Sequence, residues 1–153
     1  MDLTLIISII SVIIALFSIY KSDKASKNSI LLEKKLSSAT NELSIRNNIS
    51  NARNRVDDIL ILLAEDNISK SRKEAIKKVF HSAMEDQLNH YNKACALYLD
   101  EKIDKIRFKK DFNNEIRNFF DNKEINKKYF NRNNTRFHAL IKINEEWFNV
   151  END

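Results

Sequence analysis

An uncharged apolar run covers residues 3–20, close to the beginning of the chain. As an α-helix this run would span about 27 Å, close to the roughly 30 Å hydrocarbon core of a bilayer. Tyr20 stands where aromatic side chains gather at the membrane interface, and Lys21, Lys24 and Lys27 follow directly. The pattern predicts one transmembrane helix in an inner membrane, with the N-terminus outside and the C-terminal domain in the cytoplasm.

The small and hydroxylated residues of the run recur at spacings of four and three, which places them on one stripe of the predicted helix. Such residues let transmembrane helices approach closely and form hydrogen bonds across the contact. With one span per chain, the partner is another copy or another protein, and we expect a homo-oligomer. The predicted membrane seam consists of Thr4, Ser8, Ser11, Ala15 and Ser18.

The same 3.5-residue period continues beyond the membrane through residues 22–43, which is typical of a left-handed coiled coil. The alternative is an ordinary amphipathic helix that packs on its own domain. A second apolar phase then begins, so residues 21–66 are predicted to form a long juxtamembrane helix, either unbroken or jointed at Asn47–Asn48. The second phase consists of Ile45, Ile49, Ala52, Val56, Ile59 and Leu63.

Residues 67–153 are predicted to fold as a small cytoplasmic helical domain, so the fold class is all-α. Ser71 and Glu74 fit a capping box at a helix start, a further helix is expected near Asp104, and Thr135 is expected to cap the last one. Apolar residues at helical spacing predict the core of a bundle. They are Ile76, Phe80, Ala83, Tyr91, Ala94, Tyr98, Phe108, Phe112, Ile116, Phe119, Phe120, Ile125, Tyr129, Phe130, Phe137, Leu140, Ile141, Trp147 and Phe148.

Composition narrows the chemistry. The chain has no glycine and no proline, which excludes a P-loop, a dinucleotide-binding GxGxxG turn and a GxSxG elbow. Its one cysteine, Cys95, lies between alanines and is expected to be buried. His81 and Glu85 are four apart on a helix, but two ligands without a third make a weak metal site, so no metal and no cofactor are predicted.

Charge is concentrated in one part of the chain. The net charge is +4, whereas residues 102–142 hold twelve basic and five acidic residues, a local net charge of +7. Lys and Arg neutralise phosphates, Asn reads base edges, and aromatic rings stack on bases. The segment that combines all three predicts a site for an anionic nucleotide, although a solvated helix face would show the same charges. Its candidate residues are Lys127, Lys128, Arg132, Asn133, Asn134, Arg136, His138 and Lys142.

A catalytic interpretation of this segment is the main alternative. Arg132 and Asn133, followed after four residues by His138, resemble the Arg-polar-x4–6-His motif of HEPN ribonucleases. In that family the Arg and His act on the scissile phosphate while the RNA 2′-hydroxyl is the nucleophile. The resemblance would make Arg132 and His138 catalytic residues of a membrane-tethered ribonuclease.

The whole layout resembles the small membrane effectors of type III CRISPR systems, of the Vibrio type. The resemblance lies in an uncharged N-terminal anchor, lysines directly after it and a glycine-free helical domain of this size. It implies an antiviral-defence effector, not an enzyme, that binds cyclic tetra-adenylate as a tetramer and then perturbs the membrane. A passive scaffold or a superinfection-exclusion protein without a ligand is the third possibility.

Overall fold

A computed structural model of the chain describes residues 3–65, 68–131 and 135–148, and within the first helix the side chains at 3–13 and 15 lie outside the description. The described residues are helical throughout their regular elements and contain no strand, which confirms the all-α prediction. There are five described helices: α1 (Leu3–Leu63), α2 (Lys70–Leu99), α3 (Lys105–Asp121), α4 (Lys123–Tyr129) and α5 (His138–Phe148).

The chain divides into two compact units, Met1–Ser38 and Ala39–Asp153. The helix α1 belongs to both, and it is unbroken at Asn47–Asn48, so the single-helix alternative is the one observed. The predicted boundary between residues 66 and 67 lies inside the second unit.

Most side chains of the predicted membrane helix lie outside the described part of the chain. No helix among the described residues is both long and apolar enough to cross a bilayer. The backbone of residues 3–20 is helical, but four of the five predicted seam residues (Thr4, Ser8, Ser11 and Ala15) have side chains outside the description. The fifth, Ser18, donates its hydroxyl hydrogen to the carbonyl of Ile14 at 2.8 Å, within its own helix.

The second unit is a helical bundle in which the order of the contacts reveals the helix directions. Along α1 and α3, Glu42 pairs with Arg107 and Arg46 with Asp111, both rising in sequence, so these helices run parallel. The pairs between α2 and the segment leading into α5 rise in the same way, so α2 and α5 are also parallel. Those pairs are Glu85–Arg136, Asn92–Leu140 and Tyr98–Glu146.

The core forms where these helices meet. The second apolar phase of α1 is buried, from Ile45 to Ile59, as its spacing predicted, and Leu63 packs against the core from its edge. The aromatic residues of α3 and α5 lie against Tyr91 and Tyr98 of α2, with edge-on contacts such as Tyr91–Phe119 at 4.9 Å between ring centroids. Cys95 is fully buried, and burial raises the pKa of its thiol.

Helix starts follow local hydrogen bonds, and two differ from the predictions. Ser69, not Ser71, caps α2, because its hydroxyl accepts the amide of Arg72. The helix α3 begins near Asp104 as predicted, and the Asp104 carboxylate caps it by accepting the amide of Arg107. Thr135 was predicted to cap the last helix, but this helix begins three residues later, at His138, and the Thr135 hydroxyl accepts the amide of Phe137, which precedes the helix.

The end of α2 shows how a chain without glycine closes a helix. The amide of Lys102 bonds to the carbonyl of Leu97 and that of Glu101 bonds to Tyr98, which is the Schellman pattern. This pattern needs a left-handed residue, and Glu101 supplies it with a φ of 57°. Glycine normally fills this position because a Cβ there costs about 1–2 kcal/mol.

Replacing Glu101 with glycine should therefore stabilise the bundle. We expect a gain of about 0.5–1 kcal/mol, since relief of the Cβ clash exceeds the added entropy of the unfolded chain. The exposed Lys105–Glu101 ion pair lost in the exchange contributes little. The matched control is Asp100→Gly at the preceding residue, where φ is −80° and glycine should destabilise. Urea unfolding of both variants measures the effect, and equal changes in stability would contradict this account.

Candidate functional site

The predicted nucleotide-binding residues lie on three elements of the second unit. Lys127 and Lys128 are exposed at the end of α4, and His138 and Lys142 are exposed on α5. Arg136 lies in the connection between these two helices. Arg132, Asn133 and Asn134 lie outside the described residues.

Arg136 does not point freely into solvent. Its Nη2 donates to Oε2 of Glu85 on α2 at 2.9 Å, and its guanidinium lies 5.4 Å from the ring centroid of Phe137. Both members of the ion pair are about half exposed, with 59% of the Arg136 side chain and 47% of the Glu85 side chain accessible. The pair therefore holds the connection against α2, and an anion that approached Arg136 would compete with a carboxylate.

His81 lies one helical turn before Glu85 and also contacts the segment around α4. Its Nδ1 is 3.2 Å from the hydroxyl of Tyr129, the last residue of α4. Burial raises the pKa of the Tyr129 phenol, and the negative charge of Glu85 raises it further. His81, Glu85, Tyr129 and Arg136 are named here the His81–Arg136 cluster.

Aromatic rings pack against one another next to Tyr129 of this cluster. The rings of Phe120 and Phe130 stack with their centroids 4.2 Å apart and their planes 13° from parallel. Phe137 lies edge-on to both Phe130 and Tyr129, and its own side chain is buried. Phe130 and Phe137 are thus part of the core.

The first turn of α5 is completed by a residue from another helix. The amide of Leu140 donates to Oδ1 of Asn92 on α2 at 3.1 Å, the bond that an N-cap side chain would otherwise supply. This contact orients the start of α5, where His138 is exposed. The backbone donors and the helix dipole at such an end favour an anion nearby.

The residues considered for a metal site are described in the structure, whereas the predicted ribonuclease pair is described only in part. Among the described residues no group of three or more His, Cys, Asp or Glu side chains could hold a metal ion, and His81 and Glu85 have Tyr129 and Arg136 as partners instead. The ribonuclease pair joins His138 to Arg132, and Arg132 lies outside the described part of the chain.

One groove of the bundle was not predicted from the sequence. A groove of about 150 Å³ lies between the α1 and α2 segments of the second unit. The amide of Asn41 already donates to the carbonyl of Lys102, and that of Asn48 donates to the hydroxyl of Ser44. The groove carries one lysine, Lys93, whereas Lys127, Lys128, Arg136 and Lys142, named here the cationic surface, supply four exposed cations and are the better candidate for an anion. The groove is lined by Asn41, Ser44, Ile45, Asn48, His90, Lys93, Ala94 and Leu97.

The role of Glu85 was also missed, although the spacing of His81 and Glu85 had drawn attention to both. Its partner, Arg136, is 51 residues away in the sequence, and no local pattern links them.

No protein-family model, curated protein or solved structure matches this chain.

Proposed function

We propose that this protein is a membrane-anchored receptor of antiviral defence, not an enzyme, that binds a cyclic oligoadenylate on the cationic surface around the His81–Arg136 cluster. Binding would perturb the membrane through a homo-oligomer of N-terminal helices. The observation that carries the proposal is that α1 includes both the uncharged run at residues 3–20 and five buried core residues of the bundle.

The exposed cations support an anionic ligand. Lys127, Lys128 and Lys142 contribute positive charge from α4 and α5, and the start of α5 adds backbone donors. Arg136 joins this set when it leaves Glu85. Phosphates of a small nucleotide would replace the carboxylate as its partner, and charge-assisted hydrogen bonds of this kind are the stronger ones.

We propose that Arg136 acts as a switch by exchanging Glu85 for a phosphate of the ligand. A ligand can shift an equilibrium only if it binds one arrangement more strongly than the other. In one arrangement Arg136 pairs with Glu85 of α2, and in the other it pairs with the ligand, so the contact between α2 and the α4–α5 connection changes on binding. We propose that this change alters the packing of α1, which shares the core with α2, and thereby reaches the membrane anchor.

The test measures binding of cyclic tetra-adenylate to the full-length chain in lipid nanodiscs. Glu85→Gln should tighten binding about two- to fivefold, because the competing surface ion pair is worth at most about 1 kcal/mol. Arg136→Ala should weaken binding about tenfold, and the affinity should fall as salt rises. The matched controls are Glu74→Gln on the same helix, which loses an exposed pair with Lys77, and Arg107→Ala on α3, which removes an exposed side chain that pairs with Glu42 of α1.

Three outcomes would overturn the proposal. Absence of oligoadenylate binding at low salt would favour a ligand-free scaffold. Glu74→Gln acting like Glu85→Gln would show a general charge effect. Metal-independent RNA cleavage that disappears in His138→Ala would favour the ribonuclease, since a general acid or base is needed for the reaction and not for binding.

A further inference from the structure

At the end of the bundle where α1 is followed by α2, the other described residues of the domain bury no side chain. No described residue between Ile59 and Ala83 is buried, although α1 and α2 continue as helices through most of this stretch. Ile76 and Phe80 pack only against the edge of the core. The described residues of this region, 60–65 and 68–79, are named here the hairpin tip.

The hairpin tip exposes aliphatic side chains from both helices. Leu60, Ile61 and Leu62 are 45%, 67% and 40% accessible, and Val79 on α2 is 49% accessible. Scattered apolar residues are normal on a surface, but three consecutive ones at a helix end are a local concentration that binding can bury.

The same region carries a dense positive charge. The first nine residues of α2, 70–78, include five basic residues and one acidic residue, and all of these are exposed. Glu74 pairs with Lys77 at 3.0 Å, and two further acidic residues, Glu65 and Asp66, precede the helix in the sequence, so residues 60–79 carry a net charge of +2. The five basic residues are Lys70, Arg72, Lys73, Lys77 and Lys78.

We infer that the hairpin tip docks on the surface of an anionic lipid bilayer. Aliphatic side chains among lysines are typical of elements that lie in the membrane interface, where the chains enter the acyl boundary and the cations meet anionic headgroups. A nucleic acid would instead be met by stacking aromatic rings and by amides. Tyr and Trp do not occur in the tip, and its partly buried Ile76 adds further aliphatic surface.

This inference is independent of the proposed ligand and of the anchor. It concerns a peripheral contact made by the second unit, whereas the predicted span lies in the first. The inference about the tip and the prediction of the membrane span can be disproved separately. If residues 3–20 did not span a membrane, the chain would remain in solution and would still bind anionic vesicles through the tip.

The experiment presents the full-length chain, held in phosphatidylcholine nanodiscs or free in solution, to separate vesicles. Partitioning onto vesicles with about 30% phosphatidylglycerol should exceed that onto pure phosphatidylcholine at least tenfold, since each cation near an anionic surface contributes about a fivefold change. The variant K73Q/K77Q should lose more than about tenfold of the anionic partitioning. Ile61→Ser should lower partitioning onto both vesicle types.

The matched control is K110Q/K123Q, which removes two exposed lysines from other parts of the bundle. It should retain the wild-type partitioning to within about the fivefold effect of one charge. Equal partitioning onto both lipids, or equal losses in the control and in K73Q/K77Q, would overturn the inference. So would displacement of the chain from anionic vesicles by a single-stranded oligonucleotide whose binding depends on Lys73 and Lys77, because the tip would then be a nucleic-acid surface.

Discussion

Replacing Ile116 with alanine is expected to lower the free energy of unfolding by about 2–5 kcal/mol, the usual range for truncating a buried aliphatic residue. Ile116 lies in the middle of α3 and none of its surface is accessible to solvent. The loss combines the transfer free energy of three carbon atoms with the cost of a cavity that the surrounding helices cannot fully close.

The chain provides a control of the same residue type on the same helix. Ile106 is 85% exposed on the first turn of α3, so Ile106→Ala should change stability by no more than about 0.5 kcal/mol. Urea unfolding of the full-length chain in mild detergent can be followed through the fluorescence of Trp147, the one tryptophan of the sequence, which is buried in the core. Similar losses for both variants would mean that α3 presents a different face to the bundle.

Replacing Glu115 with leucine should cost about 1–3 kcal/mol, because it leaves a buried phenol without an acceptor. Tyr91 lies at the centre of α2 and is completely buried, and its hydroxyl donates to the Glu115 carboxylate. The same carboxylate pairs with Arg53 on α1. Burial raises the pKa of Tyr91, so the phenol is neutral and remains a donor near neutral pH.

A double-mutant cycle separates the hydrogen bond from the ion pair. In the Tyr91→Phe background no buried donor remains, so Glu115→Leu should cost clearly less there than in the wild type. Arg53 is 44% exposed and can be hydrated by solvent when its partner is lost. Equal costs of Glu115→Leu in the two backgrounds would show that Tyr91 and Glu115 are not coupled, and that the exposed Arg53 pair carries the whole effect.

The sequence by itself determined the helical class and much of the core. The change of apolar phase at Ile45 predicted which face of α1 is buried, and the aromatic spacing predicted the buried face of α3, including Phe108 and Ile116. These features can be predicted because an amphipathic helix places its apolar residues three and four positions apart, a spacing that is visible in a short stretch of sequence. The start of α3 near Asp104 was likewise predicted, and the capping bond found there joins residues only three apart.

Only the tertiary structure decided the features that join distant residues. Asn92 of α2, and not the nearby Thr135, accepts the amide of Leu140 in the first turn of α5, and that helix begins at His138, later than the sequence predicted. Glu85 engages Arg136, one of the predicted ligand-binding residues, from another helix. The packing of the bundle brings each of these pairs together. Their members lie about 50 residues apart in the sequence, so no local sequence pattern predicts the contact.

The hairpin tip also shows that local spacing predicts an apolar helix face, whereas tertiary packing decides whether that face is buried. Helical periodicity continues through Ile76 and Phe80, and from the sequence both were expected in the core. They lie only at its edge, because the helices that cover α2 from Ala83 onward do not enclose its first turns. A helical period specifies which face of a helix is apolar, whereas the length of that face that becomes buried depends on where the neighbouring helices end.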